Sequence, residues 1–342
     1  MIRLSASFAS AAMLAILSLS LIQASAQTQV PPAPAQTPSA PDQTPNAPSQ
    51  TPTAPAPAAA PVFPKPDPQY FTASLPTKET VNAFLSASWG YDDSRVWQVQ
   101  GILKTPVDGI SKVIVFVGDK AGKEKPGALE FFALPDGKHI ITGNQIVAFG
   151  EHPFADFRTQ LQQGANGPYR GAASKDLELV EFADFQCPHC KEAQANMDKL
   201  AADFPKARIV FQNDPIASIH PQSVNAAAYG ECVAKLGGSS AFFTFASAVF
   251  EGQDGLATAD GATLTLNSAL AKTGVDAAKV STCATAPETK ASVDASVKLA
   301  SDLGIGQVPT LVVNGRQIPA NAPYDTLKKI VEYQAKLDGI TM

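Results

Sequence analysis

Two of the four cysteines in this chain stand three positions apart in EFADFQCPHC, as Cys187 and Cys190, with Pro188 and His189 between them. Such a pair can clip a metal, close a crosslink or exchange disulfides. Zinc wants a second close Cys or His pair, and Cys232 and Cys283 lie far apart, so no metal site is expected. Attachment of c-type haem wants histidine directly after the second cysteine, where Lys191 stands. A purely structural disulfide within one helical turn would be strained, which leaves redox exchange. If the pair opens a helix, the Cys187 sulfur meets unsatisfied N–H groups and the positive end of the helix dipole, both of which favour a thiolate. Pro188 suits that first turn, where its missing N–H has no intrahelical partner. Cys187 is then the exposed, activated nucleophile, and Cys190, one turn in, is the shielded resolving thiol. His189 can stabilise the thiolate further, within the range of about 3.5 to 7.5 found for activated cysteines. A more stable reduced form makes a more oxidising disulfide.

Two more residues fit the same site. Glu181 lies in the apolar run LVEF, six positions before Cys187, and strand alternation points it opposite to Val180 and Phe182. A carboxyl there could relay the proton of Cys190; the alternative is an ordinary edge-facing acid. Pro309, in GIGQVPTLVVNG, opens a strand, where proline is often a cis bond holding a tight approach. A plain strand-start proline is the competing interpretation.

The elements that would position these residues can be read around them. A buried-type strand covers residues 177–183, a helical pattern runs on from the cysteines to residue 204, and residues 207–212 form another strand. Residues from about 221 to 303 are alanine-rich and helical in pattern, broken at Gly237-Gly238, at 252–255 and at Gly274. Strand character returns at 310–313, Asn314-Gly315 makes a turn, and a helix over 324–337 follows. This order predicts an α/β unit over 175–342, a thioredoxin-type sheet with a helical insertion.

Upstream, residues 69–165 contain no cysteine and no catalytic constellation. A helix around 77–88, with Thr77 as a candidate cap, precedes strand-like runs at 96–103, 111–117, 128–134, 139–142 and 145–149. One helix plus a meandering sheet predicts a small α+β domain. A Gly- and Ala-rich stretch, 164–174, is expected to be the connecting loop. Residues 27–68 hold 14 of the 28 prolines, with the repeats QTPSAP, QTPNAP and QTPTAP. Such a segment is read as a disordered spacer that could extend to about 130 Å. Residues 1–26 read as a signal peptide: Arg3, an apolar stretch over 11–22, and ASA before the expected cleavage after Ala26. No later run is expected to be long and apolar enough to cross a membrane. The formal net charge is −5 and no Lys/Arg block stands out, so no nucleic acid is expected as partner.

VEFADFQCPHC together with GQVPTLVVNGR resembles the DsbA-like thiol:disulfide oxidoreductases of the thioredoxin superfamily. The resemblance implies that Cys187 attacks or is attacked, Cys190 resolves, His189 tunes and Glu181 matches a buried acid. It further implies that Val308-Pro309 is a cis-proline loop that binds the substrate backbone. No cofactor is expected. SKVIVFVGDK and FFALPDGKHIITGNQI resemble the amino-terminal dimerisation domain of the DsbC and DsbG disulfide isomerases, a small α+β (cystatin-like) domain. That implies a possible homodimer, with two redox domains facing a shared cleft. The chain departs from those isomerases at the active site, whose dipeptides are Gly-Tyr or Pro-Tyr and whose cis-proline follows threonine. An even cysteine count in an exported protein favours pairing. Of three connectivities, Cys187–Cys190 with Cys232–Cys283 is expected, the latter structural as in similar pairs of relatives; two buried free thiols remain the alternative.

The leading expectation is a periplasmic or otherwise exported oxidoreductase acting in the oxidising direction on unfolded or reduced exported proteins, and recharged by a membrane or periplasmic redox partner. A dimeric disulfide isomerase and a holdase chaperone or binding protein with incidental redox activity are the alternatives. His220, in a proline-flanked loop, either lines the substrate groove or fixes the loop.

Overall fold

A computed structural model describes residues 63–122 and 125–341. The signal segment, its cleavage site and almost all of the proline-rich spacer lie outside the described residues.

The first unit forms because one helix can cover one face of an alternating antiparallel sheet. Helix α1 (Lys78–Trp89) is capped by Thr77, whose side chain accepts from the Thr80 amide at 3.2 Å. The third helical position is therefore Thr80, and Glu79 does not complete the reciprocal cap that a Thr-x-x-Glu pattern would give. Strands β1 (Arg95–Lys104), β2 (Ser111–Asp119), β3 (Gly127–Ala133), β4 (His139–Thr142) and β5 (Gln145–Ala148) pair antiparallel in sequence order. Val113, Val115, Phe131 and Ile140 of the sheet pack on Val81 and Leu85 of α1.

Helix α2 (Ala155–Gly164) follows, and it was not evident from the sequence. Its amino-terminal position is Phe154, which provides no side-chain cap, so the usual start signal is missing. Residues 164–174 do not form the expected plain loop. They contain the three-residue strand β6 (Tyr169–Gly171), which pairs antiparallel with β8 (Arg208–Asn213). Three residues between glycines and alanines carry too little pattern to announce a strand; pairing with a neighbour creates it.

The second sheet has the order β10-β9-β7-β8-β6, with β7 (Glu178–Ala183) in the middle and parallel to β8. Strand β9 (Thr310–Val313) and β10 (Arg316–Pro319) form an antiparallel hairpin. Its turn is Asn314-Gly315, both at positive φ (45° and 93°), which is why Asn and Gly stand there. Alternation along β7 sends Leu179 toward helices α3 (Pro188–Asp203) and α8 (Tyr324–Leu337), where Met197, Leu200, Leu327 and Val331 pack. Val180 and Phe182 face Leu161 of α2 and Ala300 of α7 (Pro287–Asp302).

Between β8 and β9 the chain makes the helical excursion: α4 (Ser223–Glu251), α5 (Ala259–Ala271), α6 (Ala277–Ala284) and α7. Helix α4 kinks at Gly238, where φ is 77°. By length and apolar composition it passes the test for a membrane span, with a mean hydropathy of 1.3, which overturns the expectation that no later run would do so. Its Val233, Phe242, Phe245 and Val249 are buried against Phe185 and Phe211, so its apolarity is that of a core helix. Cys232 of α4 and Cys283 of α6 are joined by a disulfide with Cα atoms 5.8 Å apart.

The two sheets are tied at one buried cation. Arg316 is 5% exposed; its guanidinium donates to the carbonyls of Ser88 (2.8 Å) and Ala87 at the end of α1, and to Gln334 Oε1 of α8 (3.0 Å). The hydroxyl of Tyr333 donates to the next carbonyl back, Ser86 O, at 2.7 Å. Ser86 O also accepts the Gly90 amide at 2.8 Å, while the Ala87 and Ser88 carbonyls lie in the last turn, where a helix leaves acceptors unpaired and a cation is electrostatically favoured.

Candidate active site

The central strand delivers the chain to the site. After Ala183 the backbone turns through Asp184, Phe185 and Gln186 and enters α3 with Cys187 as its amino-terminal cap position and Pro188 first in the helix. Beneath them lies an aromatic bed: Phe185 stacks on Phe211 with centroids 5.2 Å apart, and Phe242, Phe245 and Phe250 close around it. Both Cys187 and Cys190 are free thiols.

Cys187 is less open than the sequence led us to expect. It is 6% exposed, because the loop before β9 covers it: its Sγ lies 3.8 Å from the carbonyl oxygen of Val308. The Val308–Pro309 peptide is cis. Gln253, from the short helical turn after α4, donates to the carbonyls of Phe185 (2.8 Å) and Cys187 (2.9 Å), pinning the turn that enters α3. Pro188 and His189 are the exposed members of the motif.

The electrostatics separate the two sulfurs. The Cys187 thiol is pulled down to about 6, chiefly by the hydrogen bond that Cys190 can give its thiolate, with burial opposing. In the thiol form Sγ makes no capping bond, but the backbone N–H groups of Cys190 and His189 favour the charged form, and His220 adds a coulombic contribution. Cys190 is fully buried, and burial followed by the neighbouring Cys187 pushes its thiol far up. Its sulfur accepts from the Asp184 amide at 3.4 Å.

The ring of the motif histidine is turned to solvent, and Cys187 acts on it only as a minor electrostatic contribution behind Glu192. The His189 ring is 65% exposed and lies 3.0 Å from Glu192, which raises its affinity for a proton. What His189 offers the sulfur most directly is its main-chain N–H. His220 instead sits beside the pair, with Nδ1 2.7 Å from Oδ2 of the buried Asp184. The Asp184 carboxylate also accepts from the amides of Gln186 (2.7 Å) and Ile216 (2.8 Å), so one buried acid fixes both the active-site turn and the loop carrying His220. Asp184, Gln253 and Gln194 were missed from sequence, since their partners are brought up by folding.

Glu181 is not an edge acid. It lies on the central strand, 3% exposed, on the α3 face, and burial pushes its carboxyl up to about 7 while the amide of Gln194, donating at 2.9 Å, opposes that. A carboxyl of this kind, near half-ionised at neutral pH, can accept or return a proton.

Residues 164–333 match a Thioredoxin family model, and this part of the chain is a thioredoxin-fold domain. Among curated proteins the chain is similar to the Na(+)/H(+) antiporter NhaA 3 of Salinispora tropica, 33% identical over 91 residues, covering 27% of this chain and 14% of the antiporter. The chain thus spans only a small part of that relative's length. Among solved structures it is similar to a thioredoxin-like oxidoreductase from Silicibacter pomeroyi (26% identity, TM-score 0.45, 52% of this chain and 98% of that one). It is also similar to the catalytic domain of Proteus mirabilis ScsC (22% identity, TM-score 0.43, 53% of this chain and 99% of that one).

Proposed function

We propose that the chain is a thiol:disulfide oxidoreductase that passes a disulfide from Cys187–Cys190 to reduced substrate proteins. The carrying observation is the asymmetry of the pair: the Cys187 thiol is lowered to about 6, while Cys190 is sealed and keeps its proton. A sulfur with a low pKa is a good leaving group, and a stabilised dithiol makes the disulfide oxidising. In that direction a substrate thiolate attacks Cys187 Sγ of the disulfide, the Cys187–Cys190 bond breaks, and Cys190 leaves and takes a proton supplied through Glu181. A second substrate thiolate then attacks the substrate sulfur of the mixed disulfide and releases Cys187 as its thiolate. Two substrate thiols are oxidised and the pair is reduced; a membrane or periplasmic redox partner re-oxidises it. Val308 and Pro309, against the Cys187 sulfur, would hold the substrate backbone.

Substrates are unfolded or reduced exported proteins in this reading, which draws on the signal-like residues 1–26 and on the Cys232–Cys283 disulfide, a bond that persists in oxidising compartments. The first unit, with its five-stranded meander, would serve as a homodimer contact, and a dimer is what the isomerase alternative requires. The test is oxidative refolding of a reduced protein by wild type and Cys187→Ser, with sedimentation alongside. Cys187→Ser should lose activity with its fold intact; undiminished activity would sink the proposal.

A further inference from the structure

Glu181 is buried on the α3 face of the sheet, and the side chain that hydrogen-bonds it, Gln194, also lines a groove. A groove of about 280 Å³ lies between α3 and α4 beside β6, walled in part by Arg170, Lys191, Gln194, Asp198, Phe243 and Phe250. Gln194 is half-buried and faces both ways. Its Nε2 donates to Glu181 Oε1 at 2.9 Å and to the Cys190 carbonyl at 3.0 Å. Among the described residues no other group hydrogen-bonds the Glu181 carboxyl. The charges that act on that carboxyl are Arg170 of β6 and Asp198 of α3, paired with each other at 2.7 Å, while Lys191 and Glu251 stand on the groove.

We infer that Gln194 is a positioning residue for the resolving thiol: its amide orients the Glu181 carboxylate under Cys190 and joins it to the groove, through which the proton reaches water. This rests on the oxidoreductase reading and adds to it a route and a residue outside the cysteine motif. The step concerned begins from a mixed disulfide between Cys187 and a partner sulfur. Cys190 gives its proton to Glu181, its sulfur attacks Cys187 Sγ, and the bond from Cys187 to the partner breaks. The partner leaves as a thiolate and takes a proton from water; the protein dithiol has lost two electrons and the partner disulfide has gained them. Glu181 then releases its proton past Gln194 to water of the groove. Without the amide the carboxylate loses its one charge-assisted hydrogen bond, so Glu181 holds its proton to higher pH.

The experiment reacts the fully reduced chain with oxidised glutathione, quenches with acid at intervals and counts mixed disulfide and intramolecular disulfide by mass spectrometry across pH 5 to 9. Gln194→Met keeps the length of the side chain and removes the donor; Gln194→Glu is a second variant in case the first fails to fold. Formation of the mixed disulfide at Cys187 should stay within about twofold of wild type in both. The rate of the Cys190 step should follow a midpoint moved up by about one pH unit or more, being about fivefold slower at pH 7 and converging on wild type near pH 9. An unmoved midpoint, or uniform slowing at every pH, overturns the inference while leaving the oxidoreductase reading standing. Failure of the wild type itself to form the Cys187 mixed disulfide overturns both.

Discussion

Titration of Cys187 tests the electrostatics of the site against a number. With its thiol at about 6, roughly nine-tenths is thiolate at pH 7, against about 3% for an ordinary cysteine near 8.5. That gain of about thirtyfold in thiolate is mostly offset by lower intrinsic nucleophilicity, which falls by about 10- to 18-fold over 2.5 units at a Brønsted slope of 0.4–0.5. As an attacking group Cys187 therefore gains only about two- to threefold, whereas as a leaving group it keeps the whole advantage of its low pKa. Cys190→Ala removes the first cause of the shift and keeps the main-chain N–H groups of residues 189 and 190. Losing one hydrogen bond to a charged sulfur costs about 1.5–3 kcal/mol, so the midpoint should climb by about one to two units, to about 7–8. The folded pKa lies below the unfolded one, so the dithiol form gains stability that is full above about pH 8.5 and is lost as pH falls through 6. Its ceiling is about 3.4 kcal/mol, of which about 1.4 is present at pH 7. The reduction potential should accordingly change by about 30 mV per pH unit between pH 6 and 8.5, and by about 59 below. Absorbance of the thiolate near 240 nm (~) and the pH dependence of iodoacetamide alkylation read the midpoint directly. A wild-type midpoint above 8 (~), or one that Cys190→Ala leaves in place, would refute the reasoning.

Two further outcomes are expected. Glu181→Gln should make the fold about 2–4 kcal/mol more stable at pH 8.5 and leave it unchanged near pH 4, because a buried acid with a raised pKa stabilises only while protonated; denaturant melts at the two pH values check this, and equal shifts at both would contradict it. Replacing Cys232 and Cys283 together by alanine opens a crosslink spanning 51 positions, which the chain-entropy account values at about 4 kcal/mol; the thermal midpoint should drop by about 10 °C, with alkylation of Cys187 unchanged.

The parts of the site that were legible in the sequence are those whose chemistry is local. Cys187-Pro-His-Cys190 carries its own helix start, and Asn314-Gly315 its own turn. The strands of the first unit announce themselves by alternation, within a residue or two of their observed ends. What could not be read depends on distant partners. The shelter over Cys187 comes from Val308, 121 positions away, and the carboxylate of Asp184 is tied to His220, 36 positions away. Helix α2 offered Phe154, Phe157 and Leu161 at helical spacing, but no cap and few other apolar residues. The His189 ring was given a task that its main-chain N–H can perform, because sequence does not tell which way a side chain at the second helical position turns.

Arg316 carries a consequence for genetics. It sits on the hairpin whose first strand begins immediately after Pro309, yet two of its three hydrogen bonds end on α1, in the unit that has no cysteine. A guanidinium cannot shed its charge to escape burial, so the hairpin and the end of α1 must move together or part at the cost of several kcal/mol. Lesions around residues 86–90 would therefore surface in a screen for lost redox function. Gly90 is the position to watch, since a side-chain carbon there would collide with the Tyr333 hydroxyl. A change of one methyl group, at the end of a helix in the unit without cysteines, is placed to disturb the hairpin that follows the loop over Cys187.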